Sequence, residues 1–176
     1  MNAAKGKTTI IECPLSYSLN SESGQEIAGG EAKARLDEEN ISIYPRSGKT
    51  LTLSYRDISE LSGMDYRILI ALTSNKTLTL FNVGFYYEDF LRELSRQRNE
   101  ILLKDLLMHE SLKPELRKAK VEADLIYLDE NGKEIVKGEC TPRLYETALV
   151  VIPKLGELRR VPYSDIQEIL AEDYVL

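Results

Sequence analysis

Five side chains carry the groups from which catalytic or metal sites are usually built. His109 is the only histidine, Cys13 and Cys140 are the only cysteines, and Asp57 recurs as Asp165 in a second, similar stretch of the chain. One imidazole and two thiols exclude a multi-histidine metal centre, a four-cysteine zinc site and a disulfide framework. His109 follows an apolar helical stretch with no nucleophile or carboxylate pattern beside it, so we interpret it as a surface or helix-end histidine. We expect both cysteines to be buried, reduced and structural.

The repeated aspartates have a structural interpretation. Asp57-Ile58-Ser59-Glu60 and Asp165-Ile166-Gln167-Glu168 both fit a capping box, in which the aspartate accepts hydrogen bonds from early helical N–H groups. We therefore predict a short helical turn at each place instead of a pair of catalytic acids. Neither common glycine-rich phosphate loop occurs in the sequence. Because no nucleophile, base or metal set assembles, we expect a protein that is not an enzyme and needs no cofactor.

Charge and composition narrow the classes of partner. The 176 residues are 43% hydrophobic and 30% charged, with 23 Lys and Arg against 29 Asp and Glu, a net charge of −6. This balance argues against nucleic acid and disfavours anionic membranes, because both attract basic faces. The arginines at 92, 96 and 98 are predicted to be exposed and locally paired. No apolar leader follows the first residues and no apolar run approaches about 20 residues, so we expect a cytoplasmic protein.

The chain contains an internal repeat. Residues 13–68 align without a gap over residues 121–176, and 17 of the 56 pairs are identical, Leu36 with Leu144 and Tyr55 with Tyr163 among them. We interpret this as a duplicated unit of about 108 residues. The second copy has no counterpart of residues 69–112. Either the chain is a fragment of a longer protein or another surface completes the second unit, and the sequence leaves both open.

Hydrophobic periodicity predicts the elements of one unit. Alternating and β-branched stretches predict strands, and the apolar period changes to helical spacing after Gly84. A helix over 86–108 would be about 35 Å long. That length exceeds a small barrel, so we expect its second half to pack elsewhere, with the second unit as its target. The predicted domains are a complete unit over 8–112, a linker over 113–120 and a partial unit over 121–176.

The pattern of antiparallel strands closed by one amphipathic helix resembles the pleckstrin-homology-like (PH-like) superfold, most closely the bacterial PH-like and GRAM-type domains. The residues that carry the resemblance are Ala34-Arg35-Leu36, Ile41-Ser42-Ile43, Leu53 to Ile58 and Phe90 to Leu94 in the first copy, and Arg143-Leu144, Leu149 to Val151 and Val161 to Ile166 in the second. The resemblance implies a mostly β fold with one long α-helix: a PH-like antiparallel barrel capped by a C-terminal helix, followed by a partial second PH-like repeat. It also implies lipid-head-group binding, protein docking or scaffolding without catalysis.

The first hairpin departs from a lipid-binding pattern. Residues 19–26 contain no base and two acids, and residues 129–134 contain one lysine among three acids. An inositol phosphate would meet repulsion there.

The partial second unit, residues 121–176, is the part of the chain that we predict to bind a partner. An apolar half-barrel left in water invites association, because each side chain of this size is worth about 1.5–3 kcal/mol when buried. The predicted interaction surface consists of Leu103, Leu106, Leu107, Leu149, Val151 and Val161. We expect a non-catalytic scaffold that binds a protein partner or forms a homodimer through this half-barrel. The alternative is a peripheral membrane adaptor that binds an anionic lipid by an atypical face.

Overall fold

The structure is a computed structural model that describes residues 10–107, 121–145 and 147–169. It is mostly β, with 52% strand, one long helix, a curled seven-stranded sheet and a separate four-stranded sheet, so the predicted fold class is confirmed. His109 and the predicted linker 113–120 lie outside the described residues, and the predicted domain boundaries stay a prediction. The elements are β1 (Ile11–Asn20), β2 (Glu26–Leu36), β3 (Asn40–Pro45), β4 (Leu51–Ser54), β5 (Ile58–Met64), β6 (Arg67–Leu72), β7 (Thr77–Phe81), α1 (Tyr87–Leu107), β8 (Ala123–Leu128), β9 (Glu134–Leu144), β10 (Ala148–Pro153) and β11 (Arg159–Pro162).

The first compact unit comprises residues 10–106 together with residues 154–157. Its antiparallel sheet has the order β4-β3-β2-β1-β7-β6-β5, so β1 joins two meanders by pairing with β2 on one side and with β7 on the other. This curled antiparallel sheet is followed by helix α1, in the order of strands and helix that the sequence predicts.

Strand β1 shows why the sheet has one buried face. Cys13, Leu15, Tyr17 and Leu19 alternate along it and are all buried, because successive side chains of a strand point to opposite faces. The same core cluster takes in apolar side chains from β2 to β7.

Helix α1 closes this core with its first half. Phe90, Leu91 and Leu94 are buried in the core cluster. Gly63 in β5 permits the close approach, because a Cβ there would collide with the side chain of Leu91 and lie 2.7 Å from the Tyr87 hydroxyl.

The polar stretch in the middle of α1 is more buried than its composition predicts. Ser95, Gln97, Arg98 and Asn99 are each less than a tenth exposed. Arg98 donates to the backbone carbonyls of Ile58 at 3.1 Å and Ser59 at 2.9 Å, so the prediction that it is exposed is wrong. The cost of burying its charge is offset by these bonds and by Glu157, also in the first unit, whose Oε1 lies 3.0 Å from Arg98 Nη2.

The predicted capping boxes are also wrong. The short helical turns cover Tyr55–Asp57 and Tyr163–Asp165, so each aspartate ends its turn instead of opening it. Ser54 caps the first turn, with its Oγ accepting from the Arg56 N–H at 3.3 Å. The residues after Asp57 form β5 because Ile58, buried at the strand's start, continues the core.

The second compact unit holds a four-stranded antiparallel sheet of order β11-β10-β9-β8. The bounds of β9, β10 and β11 correspond to those of β2, β3 and β4 under the repeat alignment that places Leu36 over Leu144. The β8·β9 register shift between Tyr127 and Leu128 likewise matches the shift between Leu19 and Asn20 in β1·β2. This sheet therefore has the strand arrangement of the first half of the first unit.

Candidate functional site: an uncovered sheet face

Seven apolar side chains share one face of the second sheet. Their register places them together, because paired residues of neighbouring strands point to the same side: Tyr127 pairs with Val136, Leu144 with Leu149, and Leu149 with Val161. We call this the uncovered face, and its residues are Leu125, Tyr127, Val136, Leu144, Leu149, Val151 and Val161.

The first sheet provides an internal reference for the burial of this face. The equivalent positions in the repeat alignment are Tyr17, Leu19, Ala28, Leu36, Ile41, Ile43 and Leu53. Six of them are buried, and Ala28 packs partly buried against the same core. On the uncovered face none of the seven is buried, and Leu144 is 39% exposed where Leu36 is 0%. Five of the seven are partly exposed, Tyr127 and Leu144 are exposed, and Cys140 on the same face is buried. The same apolar pattern thus forms a closed core in one sheet and a partly exposed surface in the other.

The predicted interaction residues fall into different places. Leu149, Val151 and Val161 lie together on the uncovered face, each partly exposed. Leu103 is buried and Leu106 is 45% exposed, both on α1. Leu107 ends the helix, and its side chain lies outside the described residues.

Sequence reasoning missed the opposite face of the second sheet. Ala148 and Val150 are both fully buried there, on the alternate positions of β10. Continuous apolarity from Ala148 to Ile152 hides which parity is buried, because a period of two cannot be read from an unbroken apolar run.

Two polar contacts order the uncovered face. The Arg159 guanidinium lies over the Tyr127 ring, 3.8 Å from its centroid, which is a cation–π distance. The Tyr163 hydroxyl donates to the backbone carbonyl of Tyr145 at 2.6 Å, as the Tyr55 hydroxyl donates to the carbonyl of Asp37 at 2.8 Å. The face is therefore held in a defined shape although it is open to solvent.

The two thiols are buried and free, as predicted. Burial, with a smaller contribution from Glu12, raises the pKa of Cys13 to about 11. Burial, with a smaller contribution from the negative charge of Asp124, also raises the pKa of Cys140. A thiol with a raised pKa is a poor nucleophile at neutral pH, so neither cysteine has the setting of a catalytic residue.

An open groove of about 530 Å³ lies on the first unit, and its charged lining residues are Glu31, Lys33 and Arg46. Arg46 is 2.6 Å from Glu31, and Lys33 is 3.6 Å from Glu12. These cations face carboxylates, so the groove has no concentration of positive charge for an anionic ligand.

The first hairpin turn is also without a cation. Between Asn20 and Glu26 the turn is closed by Ser21 Oγ, which accepts from the Gln25 N–H at 3.1 Å, and Glu22 accepts from the Asn75 side chain at 3.2 Å. Within the described ranges, no cluster of three or more His, Cys, Asp or Glu side chains is placed to hold a metal ion. Helix α1, the long helix of the described chain, is not apolar enough to cross a bilayer.

Comparison with known proteins gives fold-level likeness only. No family model matches the sequence. No curated protein matches it. Among solved structures, the C-terminal domain of an unknown protein from Leishmania infantum is 14% identical over 53% of this chain and 85% of its own, with a TM-score of 0.42. The Spt16D Pob3N heterodimer is 13% identical over 82% of this chain and 84% of the matched one, with a TM-score of 0.33. Neither score is high enough to carry an argument about function.

Proposed function

We propose that this chain is a non-catalytic protein-interaction module, a scaffold that binds a protein through the uncovered face. The supporting observation is that seven apolar positions, equivalent to six buried residues and one partly buried residue of the first core, are all partly or largely exposed in the second sheet. Side chains of this size gain about 1.5–3 kcal/mol each when fully buried, so a protein that covers them gains a large part of the free energy of binding.

The proposal includes a tandem origin. The 17 identities, the shared strand bounds and the repeated tyrosine–carbonyl hydrogen bond support two copies of one PH-like unit, and the described residues of the second copy include its first four strands. The bacterial GRAM-type relationship and the cytoplasmic location remain predictions of the sequence.

The test uses an environment-sensitive dye, anilinonaphthalene sulfonate, with the full chain. We expect dye fluorescence with the native protein and a large loss in the variant Leu149→Glu, because the glutamate puts a charge in the middle of the uncovered face. The matched control is Ile126→Glu, since Ile126 is 57% exposed and its regular pairing with Lys137 places it on the opposite face of the same sheet. A native chain that binds no dye, or an equal loss in both variants, contradicts the proposal.

The membrane alternative is tested with vesicles that contain an anionic lipid. We expect no sedimentation of the chain with them, because the first hairpin and the open groove lack free positive charge. Sedimentation that added salt reverses would favour the membrane adaptor over the protein-binding module.

A further inference from the structure

The free edge of β8 has a direct counterpart inside the same protein. In the first unit, residues 16–20 of β1 pair with β7, with Tyr17 opposite Leu80 and Leu19 opposite Leu78. The equivalent residues 124–128 form β8, which ends its sheet and has no further described strand beside it. On its other side β8 pairs with β9 in the same register in which β1 pairs with β2. Asp124 lies opposite Glu139, as Ser16 lies opposite Glu31.

The side chains of β8 are suited to receiving a strand. Leu125 and Tyr127 stand where Tyr17 and Leu19 stand in β1, and they are more exposed than those buried residues. Ile126 is 57% exposed, and residues 123–128 contain no lysine, arginine or proline. Natural edge strands are often protected by a proline or by a charge that points to the buried face, and the side chains of residues 123–128 on the uncovered face, Ala123, Leu125 and Tyr127, are uncharged.

The ends of β8 define the charge of its partner. In the first unit, the asparagines that flank β7 donate to side chains near the two limits of the β7-paired stretch 16–20: Asn75 Nδ2 to Glu22 at 3.2 Å, and Asn82 Nδ2 to Ser16 at 3.2 Å. The equivalent acceptors beside β8 are Glu130 and Asp124, both carboxylates and both exposed. A strand with a cation at each end would bring a positive charge to both carboxylates, where the first unit has neutral asparagine donors.

The same charges disfavour a second copy as the occupant. Two β8 strands paired antiparallel about Ile126 would place Glu122 of each chain opposite Glu130 of the other. The chain already has a net charge of −6. Both glutamates lie just beyond the ends of β8, so like charges would meet at each end of the strand pair, and self-pairing is the less favourable use of this edge.

We propose that β8 is an acceptor edge for one extended strand of a partner protein, which pairs antiparallel with residues 124–128. The partner strand has two apolar residues at alternate positions, opposite Leu125 and Tyr127, and basic residues seven positions apart at its ends, beside Asp124 and Glu130. This inference rests on the proposed function, because the added strand extends the sheet and begins to cover the uncovered face.

The probe is an eight-residue peptide with the sequence of residues 75–82 in which both terminal asparagines are changed to arginine. Backbone amide shifts of the full chain are recorded by NMR as the peptide is added. We expect shifts on β8, and weaker binding by about threefold in each of the variants Asp124→Asn and Glu130→Gln, together with weakening by salt. A peptide with serine at both leucine positions is expected to leave β8 unchanged.

Two lysine variants separate strand addition from attraction to the acidic chain. Leu125→Lys puts its charge on the uncovered face, opposite an apolar residue of the peptide, and is expected to abolish the β8 shifts. Ile126→Lys adds the same charge on the opposite face and is expected to retain them. Circular dichroism verifies that both variants fold.

Three results would overturn the proposal: no shift on β8, equal shifts with the serine peptide, or protection of β8 amides that grows with protein concentration before peptide is added. The last result would assign the edge to a second copy. If the peptide leaves β8 unchanged while Leu149→Glu still removes dye binding, the acceptor edge is wrong and the proposed function stands.

Discussion

Replacing Leu36 and Leu144 by alanine, one at a time, measures how much less the burial of Leu144 stabilises the second sheet than the burial of Leu36 stabilises the first. The two leucines occupy equivalent positions, and they are 0% and 39% exposed. Leu36→Ala removes a fully buried side chain and leaves a cavity, which costs about 3 kcal/mol. Leu144→Ala removes about three-fifths of that burial and leaves no closed cavity, so we expect about 1 kcal/mol.

The assay is native-state hydrogen exchange, because it reports the opening free energy of each sheet separately. Each substitution raises the opening constant of its own sheet. The difference of about 2 kcal/mol means that Leu36→Ala raises it about thirtyfold more than Leu144→Ala does. Each variant also serves as the control for the other, since the sheet without the substitution keeps its exchange rates. Equal losses in the two sheets would refute the reasoning, because they would mean that Leu144 is covered as fully as Leu36.

Three further predictions concern buried polar groups. Tyr55→Phe leaves the buried carbonyl of Asp37 without its hydrogen-bond donor and should lower the free energy of unfolding by about 1–3 kcal/mol. Tyr163→Phe should lower it less, because water reaches the carbonyl of Tyr145. Chemical denaturation measures both losses, and equal losses would contradict the difference in burial. Burial raises the pKa of Cys13 from 9.0 to about 11, so the protonated thiol contributes its full stability below pH 9, and this contribution is lost as the pH rises through 11. A Cys13→Ala variant should therefore lose less stability at alkaline pH than the native chain. Identical stability–pH profiles for the two proteins would disprove this contribution of Cys13. Arg98→Met removes the donors to two β5 carbonyls and should cost about 1–3 kcal/mol in thermal unfolding, while an unchanged midpoint would show that these bonds contribute nothing net.

The proposed interaction module and the proposed acceptor edge both rest on the comparison of two sheets within one chain. Equivalent residues have the same register and the same apolar pattern but different exposure. We therefore propose that the second sheet binds its partner with the geometry that the first sheet uses internally.

Local pattern determined the architecture. The β-branched and apolar composition of the first stretch, the alternation over residues 50–55 and the change to helical spacing after Gly84 predicted β1, β4 and helix α1 near their observed bounds, because each element must bury one face. The internal repeat predicted which strands of the two sheets correspond. It also predicted that Leu149, Val151 and Val161 belong to an apolar face of the second unit, and the strand register places all three on one face.

Tertiary structure alone decided the rest. Arg98 is a surface residue by composition, yet it is buried because the carbonyls of Ile58 and Ser59, forty residues away in sequence, accept its hydrogen bonds. The burial of Val150 in place of Leu149 and the free edge of β8 likewise depend on what lies beside each strand. A sequence fixes the alternation of side chains along a strand, but only the packing of distant segments determines which face and which edge remain open.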